Sequence, residues 1–142
     1  MQCWDALVAS NLTSALVALR EALPGMRRRR YGRVLLFGVA GGDAPRAAAG
    51  AHAYRAVKTA LLGLARSVAH EEAKNGITVN VILPGIISTP GTPRRWAGAA
   101  RRIPAGRLGT SHEIARAALF LLAEESGYVT GAALHVSGGY LL

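Results

Sequence analysis

Two short, unbroken apolar runs constrain this chain more than any other feature. Residues 33–39 read RVLLFGV and residues 77–83 read ITVNVIL, and Gly or Pro-Gly bounds each of them. A strand with one solvated face alternates polar and apolar side chains. A near-continuous apolar run belongs to a strand covered on both faces, which is the condition of a parallel sheet. Between the runs, a helical pattern covers residues 52–74 and closes at Asn75-Gly76, a pair suited to the left-handed position after a helix. Parallel neighbours need a crossover of about this length, because the chain must return to the same end before the next strand begins.

The rest of the chain extends that alternation. Trp4, Leu7, Val8, Leu12, Leu16 and Leu19 recur at helical spacing, which predicts a helix over residues 2–23 that ends at Pro24-Gly25. The Arg27 to Arg30 run then reads as a polar turn leading to Gly32. Residues 86–109 are irregular, rich in Pro and Gly, with a short helix expected around Trp96; long segments of this kind in a compact domain are usually binding loops. Thr110-Ser111-His112-Glu113 is a capping box that opens a helix to about Glu124, and residues 132–136 form a third strand. The order α, β, α, β, loop, α, β predicts a single α/β domain with a parallel sheet and helices on both faces. Ligands of such folds bind beyond the carboxyl ends of the strands, where residues 38–42, residues 84–89 and the start of the 52–74 helix converge.

Composition narrows the functional classes. Hydrophobic residues make up 51% of the 142, which excludes a disordered chain. A single Cys3 excludes an intramolecular disulfide framework, and His52, His70, His112 and His135 are scattered without metal-ligand spacing. No apolar run approaches the roughly 18 residues of a membrane span, and the start lacks the character of a signal peptide, so a cytoplasmic location is expected. The net charge of +9 comes from 17 basic residues, all Arg except Lys58 and Lys74, against 8 acidic ones. Few aromatic residues accompany the Arg runs to stack on bases, so nucleic acid is not the expected partner.

Tyr54 and Lys58 carry the chemistry. Four residues apart on a helix, they share one face. A neighbouring cation favours the phenolate and is expected to lower the Tyr54 pKa, which suits a phenol that exchanges a proton with a carbonyl or alcohol oxygen.

With these residues in place, the chain resembles the C-terminal half of a short-chain dehydrogenase/reductase, a Rossmann-like doubly wound α/β fold, from about Trp4 to Tyr140. WDALVASNLTS resembles the family's central helix with its active-site Asn, GRVLLFGVAG the strand after it, AYRAVKTALLGLARSVAHEEAKNGITVNVILPGIIST the catalytic helix, next strand and cofactor loop, and GRLGTSHEIARAALFLLAEESGYVTGAALHVSGGY the C-terminal signature. The resemblance implies an NAD(P)-dependent oxidoreductase acting on a ketone or secondary alcohol, similar to 3-oxoacyl-acyl-carrier-protein reductases, in which Arg30 and the 94–102 Arg cluster meet an acidic partner. It assigns Tyr54 as proton donor or acceptor and Lys58 to the nicotinamide ribose. Asn11 would support a proton-relay water, Pro84, Gly85 and Ile87 would set backbone against the nicotinamide carboxamide, and Thr89 would hydrogen-bond to the NADP or NAD. Val39, Gly41, Arg94 and Trp96 fall on the substrate side, and residues 86–109 become the substrate loop. Asn80 reads as structural. The family also implies a homodimer or homotetramer through the two long helices, with which apolar Leu61, Leu62, Leu64 and Val68 are compatible.

Two departures stand out. Val39 occupies the position of the family's catalytic Ser, and no Ser or Thr lies between Gly32 and Tyr54; Gly41 or Gly42 amides or the Ser88 hydroxyl are the available substitutes. The Gly-rich pyrophosphate turn and adenine-ribose strand have no counterpart, since residues 38–42 do not fit GxGxxG. The chain therefore reads as a partial domain with an open strand edge at 33–39. The other reading of these departures is a non-catalytic relative that only binds or oligomerises.

Overall fold

The structure, a computed structural model, describes residues 2–44, 50–92, 96 and 98–141. In chain order the elements are α1 (Gln2–Val8), a π turn (Ala9–Thr13), α2 (Ser14–Arg29), β1 (Gly32–Phe37), α3 (His52–Glu72), β2 (Ile77–Pro84), β3 (Ile87–Ser88), β4 (Gly109–Thr110), α4 (Ser111–Leu122) and β5 (Ala133–Val136). β1, β2 and β5 make a parallel sheet in the order β1-β2-β5, with Gly32 opposite Ile77 and Val81 opposite Ala133. Among the described residues β1 pairs with β2 alone, so its outer edge is open as expected, and Phe37 at its end is exposed.

β2 is the axis of the core. Ile77, Val79, Val81 and Leu83 point to one face and cluster with Leu62, Ala65 and Ala69 of α3 and Leu19 and Leu23 of α2. Thr78, Asn80 and Ile82 point the other way, where α4 covers the sheet. Asn80 is fully buried in mid-strand, and its side chain meets the need such burial creates. Its Nδ2 donates to Val129 O at 2.8 Å and its Oδ1 accepts from Ala132 N at 3.1 Å. The reading of Asn80 as structural holds, and the residue fixes the approach to β5.

Pro24 does not end the first helix; α2 runs on to Arg29. A proline inside a helix removes one hydrogen bond and costs about 3 kcal/mol. Continuation is favoured because it keeps Leu23 and Met26 on the core and brings Arg27 to the buried Glu72 of α3. The Arg27 guanidinium hydrogen-bonded to Glu72 holds that carboxyl below its usual range. The helix ends instead at Arg30, in the left-handed region with φ +50°, where Tyr31 N donates to Met26 O. Arg30 Nη2 donates to Lys74 O at 2.8 Å, and Arg33 donates to Ala123 O at 3.2 Å and to Glu124 O at 3.1 Å. Arg27 and Arg30 of the basic run, with Arg33 just after it, are thus clamps between elements.

The continuous helix from Gln2 to Arg29 is, by length and composition, long and apolar enough to cross a membrane, which the run-length argument did not anticipate. Its Leu19 and Leu23 are buried against the sheet. On α3, Leu61 and Leu62 are buried, and Leu64 and Val68 are partly buried where they pack against the core. Exposed large apolar side chains on the helices include Trp4, Leu16 and Val17 of α1 and α2 and Leu119, Phe120 and Leu122 of α4.

Asn80→Ala leaves the part-buried Val129 carbonyl and Ala132 N–H without their partner. It is expected to cost about 2–4 kcal/mol, read as a lower midpoint in urea unfolding followed by circular dichroism.

Candidate active site

A cleft of about 750 Å³ opens beyond the carboxyl ends of β1 and β2. Tyr54, Val39, Pro84, Gly85, Ile87, Thr89 and Trp96 all line it, so most of the expected site residues meet in one place. Arg94 lies outside the described residues.

Tyr54 stands in the first turn of α3, 37% exposed, with its ring on the cleft wall. Lys58 follows one turn later. Its Nζ lies 5.8 Å from the Tyr54 ring centroid and donates to Phe37 O, the last carbonyl of β1, at 2.7 Å. The expected lowering of the phenol pKa is not found. Burial pushes the Tyr54 phenol above its ordinary value, and burial pulls the Lys58 ammonium below its own. Both shifts favour the neutral forms, because burial penalises the charged form of each group.

The loop after β1 is tied down from two directions. Gly38 N donates to Ile82 O at 2.8 Å and Ala40 N to Pro84 O at 3.1 Å, which drapes the loop over the end of β2. From α3, Arg55 donates to Ala40 O at 3.0 Å and to Gly41 O at 2.7 Å, while Thr59 Oγ1 donates to Gly42 O at 3.3 Å. Gly41 therefore supplies a carbonyl to this lock rather than lining the cleft, and Gly42 N is taken by Val39 O at 2.9 Å. Arg55 and Thr59 were not singled out in the sequence. Arg55 directly follows Tyr54, but on a helix adjacent residues point about 100° apart, and only the passage of the loop across that face gives it a role.

Pro84 and Gly85 shape the floor. Gly85 N donates to Val136 O at 3.0 Å, and a Cβ there would come within 2.7 Å of Ser137 Cα and 2.9 Å of Ser137 O. The residue at 85 must therefore be glycine for the β5 end to pack this close. Thr92 Oγ1 accepts from Thr89 N at 2.6 Å and shares a 3.2 Å hydrogen bond with Thr89 Oγ1, which fixes both hydroxyls on the rim.

Residues 86–109 are closed at the base by a feature the sequence did not announce. Ile87 pairs with Gly109 and Ser88 with Thr110 in a two-residue parallel ladder. The expected capping box follows at once, with Thr110 Oγ1 accepting from Glu113 N and Glu113 accepting from Thr110 N. Arg107 completes it, and together these hold the Glu113 carboxyl down at about 2. Further in, Ala99 and Ile103 are buried, and Ala105 N donates to Gly138 O at 3.0 Å, so the loop rests on the turn after β5.

Asn11 sits in the π turn, a rare widening of the helix that is frequent at functional sites. Its Nδ2 donates to Leu7 O at 3.1 Å. The turn packs on α3, the helix of Tyr54 and Lys58. His135 of β5 and Asp43 form a pair at 2.9 Å near the same end of the sheet.

This arrangement, a Tyr/Lys helix facing a Pro-Gly strand end across a cleft, is matched by comparison. The chain belongs to the short-chain dehydrogenase/reductase family: a family model described as enoyl-(acyl carrier protein) reductase matches residues 1–141. It is similar to the 3-oxoacyl-[acyl-carrier-protein] reductase FabG of Escherichia coli, at 39% identity over 140 residues, covering 96% of this chain and 57% of that protein. The Vibrio cholerae FabG is 40% identical over 141 residues with the same coverage. Among solved structures, a Brucella melitensis 3-oxoacyl-[acyl-carrier protein] reductase with bound NAD superposes with a TM-score of 0.87 at 34% identity, covering 99% of this chain and 53% of that one. A structure described as ElxO with NADP bound superposes with a TM-score of 0.88 at 26% identity, covering 97% and 58%. The chain thus spans just over half the length of the curated relatives it matches, and its fold is the C-terminal half of a Rossmann-like domain.

Gly85→Ala is expected to push the β5 end away from β2 and cost about 1–3 kcal/mol. Thermal unfolding reads the loss, and a shift in the near-ultraviolet signal of Tyr140 on the cleft wall reports the displaced floor.

Proposed function

We propose that this cleft is the nicotinamide and substrate end of an NAD(P)-dependent oxidoreductase that interconverts a ketone and a secondary alcohol. The observation that carries the reading is Tyr54 on the cleft wall, with Lys58 one turn behind it, opposite the Pro84-Gly85 strand end. The residues present fit the nicotinamide half of the cofactor. The cleft lies within the roughly 300–1,000 Å³ of small-molecule sites. Pro84, Ile86 and Ile87 offer an apolar bed, the Tyr54 phenol is a donor for a ribose, and the Thr89 and Thr92 hydroxyls stand on the rim; Lys58, one turn behind the cleft wall, would exchange its Phe37 O partner for the ribose. When bound, the nicotinamide would supply the hydride exchange with the carbonyl carbon.

This chain's own residues then have separate tasks. Tyr54 Oη gives a proton to the carbonyl oxygen in reduction and takes one from the hydroxyl in oxidation. Lys58 holds the ribose and restores the proton inventory beside it. Asn11 supports the water that reaches Lys58. Arg55 and Thr59 are positioning residues that hold Val39 and Ala40 against the cleft. Val39 offers no hydroxyl to a developing oxyanion, which favours a second reading in which the cleft binds its ligands without turnover. The long α1–α2 and α3 helices suit a homodimer or homotetramer, and the similarity to FabG reductases supports a cytoplasmic location.

A phenol raised by burial keeps its proton through neutral pH, so the proton-donating form predominates there. Reduction by the 142-residue chain with NADPH or NADH is expected to hold steady through neutrality and fall only as Tyr54 ionises at alkaline pH, while alcohol oxidation climbs over that same range. Tyr54→Phe should lower kcat about 10²–10⁴-fold and flatten both profiles. A profile unchanged by that substitution removes Tyr54 from the reaction.

Val39→Ser introduces the missing donor and is expected to raise kcat by on the order of 10²-fold. No gain, in a variant that still binds cofactor in a fluorescence titration, would favour the binding-only reading.

A further inference from the structure

We propose that the substrate taken by this cleft carries a carboxylate, and that Arg102 is the residue that selects for it. Among the described residues, two arginines, Arg55 and Arg102, line the cleft, and no acidic residue does. Arg55 is oriented by Ala40 O and Gly41 O. Those carbonyls satisfy its N–H groups without cancelling its charge. Arg102 forms no ion pair among the described residues; its guanidinium lies over the Trp96 ring, 5.5 Å from the centroid. The backbone beneath it is held, because Ala99 and Ile103 on either side are 1% and 4% exposed. The arrangement is an aromatic surface with a cation above it on a fixed support, in the same cleft as the Tyr54 phenol.

That pairing suits a small keto or hydroxy acid. The carbon skeleton lies on Trp96, and the carboxylate accepts from the planar fork of Arg102 while the carbonyl addresses Tyr54. A neutral ketone gains nothing from the cation, so the arginine discriminates between an acid and its ester. The same anionic chemistry could come from a cofactor phosphate, and the test separates the two. The inference rests on the oxidoreductase reading of the cleft, but it is tested by binding, which needs no turnover.

The chain holds two tryptophans, Trp4 and Trp96, and Trp4 lies exposed on α1. In a Trp4→Phe background, Trp96 alone reports by fluorescence. Acetoacetate, ethyl acetoacetate and inorganic phosphate are titrated in turn. Acetoacetate is expected to quench saturably, with the ester and phosphate at least tenfold weaker. Arg102→Gln should weaken acetoacetate about tenfold and leave the ester unchanged, and Arg102→Lys should restore most of the difference. Equal titration by acid and ester, indifference to Arg102→Gln, or absence of any acetoacetate signal overturns the proposal. Phosphate binding as tightly as acetoacetate also overturns it, by assigning the anion to the cofactor. Acid-selective binding without turnover on any ketone fails the oxidoreductase reading alone and leaves the carboxylate site standing.

Discussion

The burial of β2 on both faces is the constraint from which the rest of the structure follows. From Ile77 to Leu83 no side chain is more than 3% exposed. A strand so enclosed needs a partner on each side for its backbone and a helical layer over each face for its side chains. β1 and β5 meet the first need, α2 with α3 and α4 the second. Asn80 shows how strict the enclosure is. A polar side chain survives at its centre because both ends of its amide are matched by backbone at the start of β5.

The cleft is a by-product of the same arrangement. Parallel strands end together, and the loops leaving β1 and β2 must diverge at that end, the first toward α3 and the second toward β3. The space between them is the cleft. Each wall is held by groups with no evident chemistry of their own: Gly85 by the closeness of Ser137, the 86–109 segment by its two-residue ladder and capping box, and the post-β1 loop by Arg55 and Thr59. Much of the basic character that might suggest a polyanion partner is engaged in the same kind of work. Arg27, Arg30 and Arg33 tie α2, α3, α4 and β1 together at the opposite end of the sheet. Arg102, in the cleft, is not engaged in this way.

The site was legible where function depends on residue type at a fixed helical or strand position. Tyr54 and Lys58 announce themselves by spacing, and Pro84-Gly85 by ending an apolar run. It was illegible where the role belongs to a contact between distant segments. Thr59 gains its part from a loop seventeen residues earlier in the chain, and the ladder of Ile87 with Gly109 leaves almost no mark on two residues at each end. The Tyr54 pKa shows the same limit. Spacing placed the cation on the right face, but the carbonyl of Phe37 captured it and burial set the direction of the shift.

By itself the sequence determined the α/β alternation, the two-sided burial of its central strand, the capping box at Thr110 and Glu113, and the face shared by Tyr54 and Lys58. Each of these rests on local periodicity or on residues within one turn of each other, where backbone geometry leaves few choices. Only the tertiary structure decided that α2 runs through Pro24, that Leu64 and Val68 turn inward, and which arginines are clamps and which line the cleft. Those outcomes weigh a local preference against burial and hydrogen bonds made by residues far apart in the chain. Such a balance is settled only when the elements have packed.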